Sequence, residues 1–232
     1  MDLSVVIPTL NEEGYLGKTL ECLRKQSMSD FEIVVVDGNS TDGTRDLAKQ
    51  YTDRVFILKK RGVGLARNYG VSKSRGKLLV MTDADTTFPS TWLERIAHNM
   101  RERSLGMLYG PVHYTKDVTL PARVWTDFFW LVHPLTWKSS PFVMNPNLAF
   151  TREGFKKIGG YRTDIHFMDD YDIGIRSSQK LPFFYDSGNP VVFSARRYRT
   201  LQSYLKDVPK VIRGMFEYHA TGSASGHYTA IR

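Results

Sequence analysis

The chain has 232 residues, a net charge of +8 and 41% hydrophobic residues, enough apolar material for a sizeable core. This excludes disorder, collagen-like repeats and coiled coil as the main architecture, and a single cysteine, Cys22, excludes an internal disulfide and a cysteine-based zinc site. Residues 195–232 hold seven basic side chains against two acidic ones, +5 of the net charge, which suggests an anionic partner.

In chain order, residues 3–7 form a short apolar strand stopped by Pro8. Asn11 reads as a helix N-cap, followed by Glu12 and Glu13 at the positive end of the helix dipole. Leu16, Leu20 and Leu23 make its apolar stripe. A second strand, 31–36, is almost uninterrupted by polar groups, as in parallel sheets buried on both faces. Helix 44–51, strand 55–58, helix 64–72 and strand 78–82 follow. The alternation with short links predicts an α/β fold with a doubly wound, mostly parallel sheet.

After Thr86 the rhythm loosens. Pro89 opens a helix with Trp92, Leu93, Ile96 and Met100 on one side, and 105–114 reads as a strand or two. An unusually aromatic helix is predicted at 121–132, a strand at 147–150, and a helix at 153–158 closed by Gly159-Gly160. A helix at 172–179 and strands at 183–185 and 191–193 complete a single sheet shared by both halves. The apolar run 128–137 is too short to span a bilayer and is interrupted by Pro134. Met1-Asp2-Leu3-Ser4 lacks a basic leader region, so no signal peptide is expected.

In open α/β sheets ligands bind outside the carboxyl ends of the strands. Three such ends are polar here: Pro8-Thr9-Leu10-Asn11-Glu12, Asp37-Gly38-Asn39-Ser40 and Asp83-Ala84-Asp85. Carboxylates converging on one crevice repel each other unless a cation sits among them, and Mg²⁺ or Mn²⁺ is the natural occupant.

These segments, with 62–71, 145–150 and 159–176, stand in an order and spacing that resembles the GT-A-fold glycosyltransferases of family 2. The resemblance covers nearly the whole chain. It extends to dolichyl-phosphate mannose synthases and the catalytic domains of cellulose-synthase-like membrane enzymes. It implies an inverting, metal-dependent transfer of one sugar from a nucleotide sugar, with GDP-mannose favoured and UDP-glucose or UDP-N-acetylglucosamine as alternatives. Pro8, Thr9 and Glu12 would line the nucleoside pocket, Asp37 would meet the base, and Arg67 would support the nucleotide. Asp83 would face the ribose and Asp85 the metal, with His166 as a further metal candidate. Asp169-Asp170 matches the family's acidic pair, whose second member is the usual general base; N-capping of the following helix is the competing role. Arg176, Arg196 and Arg197 would bind diphosphate or acceptor phosphate. The absence of a Gln-x-x-Arg-Trp motif implies transfer of a single sugar rather than polymer synthesis.

On this reading residues 1–194 are the catalytic domain, with a nucleotide-sugar half (1–86) and an acceptor half (87–194), and 195–232 is a basic amphipathic tail. Leu201, Tyr204, Leu205, Val208, Val211, Ile212 and Met215 share one helical face and Lys206, Lys210 and Arg213 the other, with Pro209 kinking the helix or starting a second one after Asp207. The tail reads either as an ordinary packed helix or as an interfacial one at the cytoplasmic face of the membrane, continuing into membrane helices in the natural protein and presenting a lipid-linked or glycan acceptor. A nucleotidyltransferase is disfavoured, because Pro-Thr-Leu-Asn-Glu-Glu stands where a glycine-rich phosphate loop would follow the first strand. No nucleic-acid recognition motif supports that class of partner.

Overall fold

The computed structural model describes residues 2–60, 62–135, 142–165, 167–194 and 196–223. His166 and the side chain of Arg197 lie outside the described residues. Strand β1 (Leu3–Thr9) pairs in parallel with β2 (Phe31–Asp37) over its full length, Leu3 opposite Phe31 and Thr9 opposite Asp37. Between them α1 (Glu13–Arg24) buries Leu16, Leu20 and Leu23. The chain continues through α2 (Thr44–Lys49), β3 (Val55–Ile57), α3 (Val63–Lys73) and β4 (Leu78–Met81). α3 can lie flat on the sheet because of Gly70: a Cβ there would come within 2.5 Å of Val6 Cγ1.

Next come β5 (Thr86–Thr87), α4 (Trp92–Glu102), β6 (Met107–Tyr109), β7 (Val112–Tyr114) and α5 (Leu120–Val132). Then follow β8 (Leu148–Thr151), α6 (Arg152–Ile158), α7 (Asp169–Lys180), β9 (Phe183–Tyr185), β10 (Val191–Phe193) and α8 (Leu201–Thr221). The main sheet runs β3-β2-β1-β4-β8-β6-β9, so both halves share it, as expected. It is mixed rather than wholly parallel. β8 runs antiparallel to β4 and β6 because the chain reaches it from the cleft, where Met144, Asn145 and Pro146 lie, and must run away from that end. The single shared sheet is corrected by a second one, β5-β10-β7; of the two strands within 105–114, β6 belongs to the main sheet and β7 to the second.

Three local expectations are corrected. Asn11 is not the N-cap of α1: its backbone is left-handed (φ 55°) and its side-chain oxygen accepts the Thr41 N–H at 2.9 Å, tying the β1 and β2 loops together. α7 starts at Asp169 rather than at 172, so the acidic pair forms its first turn. Pro209 lies inside one continuous helix, α8, capped by the Thr200 side chain at its start and by left-handed Gly222 at its end. No helix among the described residues is long and apolar enough to cross a membrane.

Candidate active site

The polar strand ends converge on a cleft of about 710 Å³. One end is built from the loops after β1 and β2: Pro8, Thr9, Leu10, Glu12 and Gly38, with Leu58 beside them. Asp83, Ala84 and Asp85 form its floor. That loop is held rigidly: the buried Thr19 hydroxyl donates to the Ala84 carbonyl (2.7 Å) and accepts the Thr86 N–H (3.1 Å). Nothing in the apolar stripe of α1 marks Thr19 for this role in the sequence.

Arg67 is the centre of the site. It is 3% exposed and donates to Asp83 Oδ1 (2.7 Å) through one terminal nitrogen and to Asp169 Oδ2 (2.6 Å) through the other. Its guanidinium also lies 5.4 Å from the centre of the Tyr161 ring. Burial disfavours its charge, but Asp83 and then Asp169 outweigh that and hold it more firmly protonated than a free arginine. Two acidic segments 86 residues apart are thus joined by one cation from α3. Asn145 completes the constellation. Its amide nitrogen donates to Asp169 Oδ2 (3.1 Å) and its oxygen accepts the Tyr161 hydroxyl (2.6 Å). Neither Asn145 nor Tyr161 was singled out from the sequence, although both lie in motifs that carry the resemblance.

On the floor, Asp85 bears an unrelieved electrostatic load. Burial, then Asp83, then Glu12 push its carboxyl up to about 8, against the weaker pull of Arg196 and of a hydrogen bond from its own backbone. Glu12 is raised by burial against the pull of Arg196, which binds its Oε1 at 2.5 Å; Glu12 Oε2 is buried without a hydrogen-bond partner among the described residues. Arg196 is placed here because Ser194, two residues earlier, donates its N–H to the Asp85 carbonyl (3.0 Å). Mg²⁺ or Mn²⁺ at Asp85 would relieve these carboxylates, so the oxygen donor set fits a hard divalent ion. Among the described residues no three acidic, histidine or cysteine side chains form a complete metal site. An ion here would therefore draw further ligands from phosphate, as Mg²⁺ commonly does.

Across Arg67 from Asp83, Asp169 and Asp170 enter from the first turn of α7. Met168 before them is left-handed (φ 63°), a backbone conformation that costs a non-glycine residue of order 1–3 kcal/mol. The helix N-terminus favours negative charge. For Asp170 burial wins over it, and with the charge of Asp169 pushes the carboxyl up to about 7. Asp170 accepts only its neighbour's N–H, Tyr171 at 2.9 Å, among the hydrogen bonds of the described residues.

Two expected site residues are committed elsewhere. Asp37 is fully buried behind the cleft wall, accepting Thr9 Oγ1 (3.2 Å), the Ser40 N–H (2.8 Å) and the Ser40 hydroxyl. It builds the turn that positions Thr9 and Gly38. Arg176 does not line the cleft; it binds Asp172 (2.5 Å) and the carbonyls of Ile158 and Gly160, locking α6 to α7.

The expected tail forms a wall of the same cleft. Tyr204, Val208, Val211 and Met215 of α8 face inward, while the neighbouring stripe of Leu201, Leu205 and Phe216 is more than half exposed. Of the three basic residues on its polar face, Lys210 pairs with Asp207 (3.0 Å) and Arg213 with Glu217 (2.7 Å). α5 repeats this arrangement. Ala122, Thr126 and Trp130 are buried, Trp125 and Phe129 line the cleft, and Leu120, Val124, Phe128 and Leu131 are exposed.

The family profile described as Glycosyl transferase family 2 matches residues 4–159. Glycosyltransferase AglE of Haloferax volcanii is 33% identical over 121 residues, covering 49% of this chain and 40% of AglE. The chain therefore spans less than half the length of that relative. Among solved structures, S. aureus TarS 1–349 in complex with UDP-GlcNAc superposes with a TM-score of 0.69 at 19% identity, covering 86% of this chain and 60% of that one. The mannosyltransferase PcManGT from Pyrobaculum calidifontis, in complex with GDP-Man and Mn²⁺, gives 0.69 at 23% identity, covering 91% and 64%. The overall architecture is that of GT-A glycosyltransferases.

Proposed function

The chain belongs to glycosyl transferase family 2, and from this premise we propose that it is a metal-assisted, inverting enzyme that moves one sugar from a nucleoside diphosphate to an acceptor hydroxyl. The observation that carries the proposal is the Arg67 bridge, which holds a donor-side acid pair and an acceptor-side acid pair against one cleft. The nucleoside would lie against Pro8, Thr9 and Gly38, with the diphosphate beside Asp83, Asp85 and Arg196. A Mn²⁺ or Mg²⁺ ion at Asp85 would supply Lewis-acid neutralisation of the leaving diphosphate. Asp170 takes the acceptor's proton as the acceptor oxygen bonds the anomeric carbon from the face opposite the phosphate. The bond from that carbon to the phosphate oxygen breaks with its electron pair, which leaves on the nucleoside diphosphate. The anomeric centre is inverted.

GDP-mannose is the first candidate donor, in keeping with the GDP-Man complex of PcManGT; UDP-N-acetylglucosamine, present in the TarS complex, is the second. Calorimetry of the protein with GDP, GDP-mannose, UDP and UDP-N-acetylglucosamine, with and without Mn²⁺, tests the reading. One nucleotide sugar is expected to bind in a Mn²⁺-dependent way, and Asp85→Ala is expected to abolish that dependence. No binding of any of the four overturns the proposal; unchanged metal dependence in Asp85→Ala overturns the metal assignment alone.

We also propose that the protein works at the cytoplasmic face of a membrane, with a lipid-linked acceptor. The support is the pair of exposed apolar stripes on α5 and α8, both beside the cleft. With Lys210 and Arg213 paired within their helix, apolar insertion rather than charge would dominate. Phosphatidylcholine–phosphatidylglycerol vesicles are expected to co-sediment the protein even at high salt. The Phe128→Ser, Leu131→Ser, Phe216→Ser triple variant is expected to stay in the supernatant. Equal sedimentation of the two proteins counts against this placement.

A further inference from the structure

Beyond Asp170 the cleft changes character. Its walls there are Trp125 and Phe129 from α5 and Tyr204, Val208, Val211 and Met215 from α8. The charged groups that face this end are Asp169 and Asp170, together with Arg67, whose two terminal nitrogens are already engaged by Asp83 and Asp169. No other lysine or arginine among the described lining residues lies on these two walls.

Apart from Tyr204, polar side chains nearby are engaged within the protein. The Thr126 hydroxyl donates to the Ala122 carbonyl (2.8 Å), and the Trp130 indole N–H donates to the Val112 carbonyl (2.8 Å). Asn145 uses both ends of its amide, and the Tyr171 hydroxyl is hydrogen-bonded to His219 (2.6 Å).

We infer that the acceptor is an uncharged hydroxyl carried on an apolar body, aryl or prenyl, and not a lipid phosphate or a glycan. This rests on the transferase reading above and names the acceptor class of that site. Three physical arguments meet. A phosphate monoester would sit against two carboxylates with no available cation among the described residues of these walls, and like charges in a desolvated cleft repel strongly. A glycan would lose the water on several hydroxyls and find few free partners, so each unpaired hydroxyl would count against binding. An apolar body, by contrast, exchanges water for aromatic and aliphatic surface. The proton balance agrees. An uncharged hydroxyl brings a proton that Asp170 must take as the oxygen–carbon bond forms and the nucleoside diphosphate departs with the electron pair. A phosphate oxygen would already be ionised and would need no base.

The test is calorimetric titration of the full chain with four probes: 4-nonylphenol, farnesol, farnesyl phosphate and cellobiose. Farnesol or 4-nonylphenol is expected to bind at least tenfold more tightly than farnesyl phosphate, and cellobiose not measurably. Their relative affinities separate an aryl from a prenyl body. Val211→Lys, which places a cation in the wall, is expected to narrow or reverse the preference for farnesol over its phosphate. Trp125→Ala, at an exposed position that does not threaten folding, is expected to weaken both neutral probes. Farnesyl phosphate binding as tightly as farnesol to the unaltered protein overturns the inference, as does tight cellobiose binding or indifference of the neutral probes to both substitutions. Nucleotide titration of the same samples keeps the two proposals separate. Loss of nucleotide binding with probe selectivity intact sinks the transferase reading and leaves the pocket's preference standing.

Discussion

Replacing Asp170 with asparagine is expected to lower sugar transfer by about 10²–10⁴-fold, the usual worth of a positioned general base, with donor affinity unchanged. The carboxylate comes from α7 and not from the loop of Asp83 and Asp85, so on the proposed reading its loss removes a proton acceptor without removing a donor contact. Its environment also sets a pH dependence. Burial and the neighbouring Asp169 push the Asp170 carboxyl up to about 7. The ionised form is the one that accepts a proton, so activity should fall as the pH drops below about 7 and level off above it. The asparagine variant should lack that acidic limb. Normal turnover in the variant, or a wild-type rate flat from pH 5 to about 8, would remove Asp170 from the role of base.

The second large effect is expected at Arg67. Changing it to alanine should cost about 3–5 kcal/mol of folding stability, because Asp83 and Asp169 would be left without their shared counter-charge. That is a large fraction of the roughly 5–15 kcal/mol by which domains are usually stable. The loss has a direction in pH. Burial already raises the Asp169 carboxyl against the pull of Arg67, so without the guanidinium it takes up a proton still more readily in the folded chain than in the unfolded one. The penalty is therefore full at neutral pH and fades as the pH falls toward the ordinary carboxylate range. Arg67→Lys keeps the charge but cannot form two divergent bonds from one planar group, so it should fall between the two. Urea unfolding of the three proteins at pH 5 and 7.5 provides the measurement. A loss below about 1 kcal/mol for Arg67→Ala at pH 7.5, the size of an ordinary substitution, would show that the bridge is not holding the two halves of the site together.

Much of the architecture is already present in the amino-acid order, because strand and helix patterns depend on neighbours within a few residues. The Val/Ile run of β2 requires cover on both faces whatever surrounds it, and Leu16, Leu20 and Leu23 share a face in any α-helix. The acidic residues at the ends of β1 and β4 come to one crevice because parallel strands present their carboxyl ends together. Tertiary structure alone decided what each charge meets. Asp37 and Asp83 both end buried strands, yet one is spent on Ser40 in its own turn and the other on an arginine from α3. Arg176 and Arg196 are alike in sequence as spare cations, but packing sends the first to Asp172 and brings the second to Glu12, 184 residues away. The direction of β8 and the use of α8 as a cleft wall belong to the same class, since both depend on where a long excursion of the chain returns. Local patterns follow from covalent neighbours and the period of the backbone. Charge pairing and cleft lining follow from contacts between residues far apart in the chain, which that period does not specify.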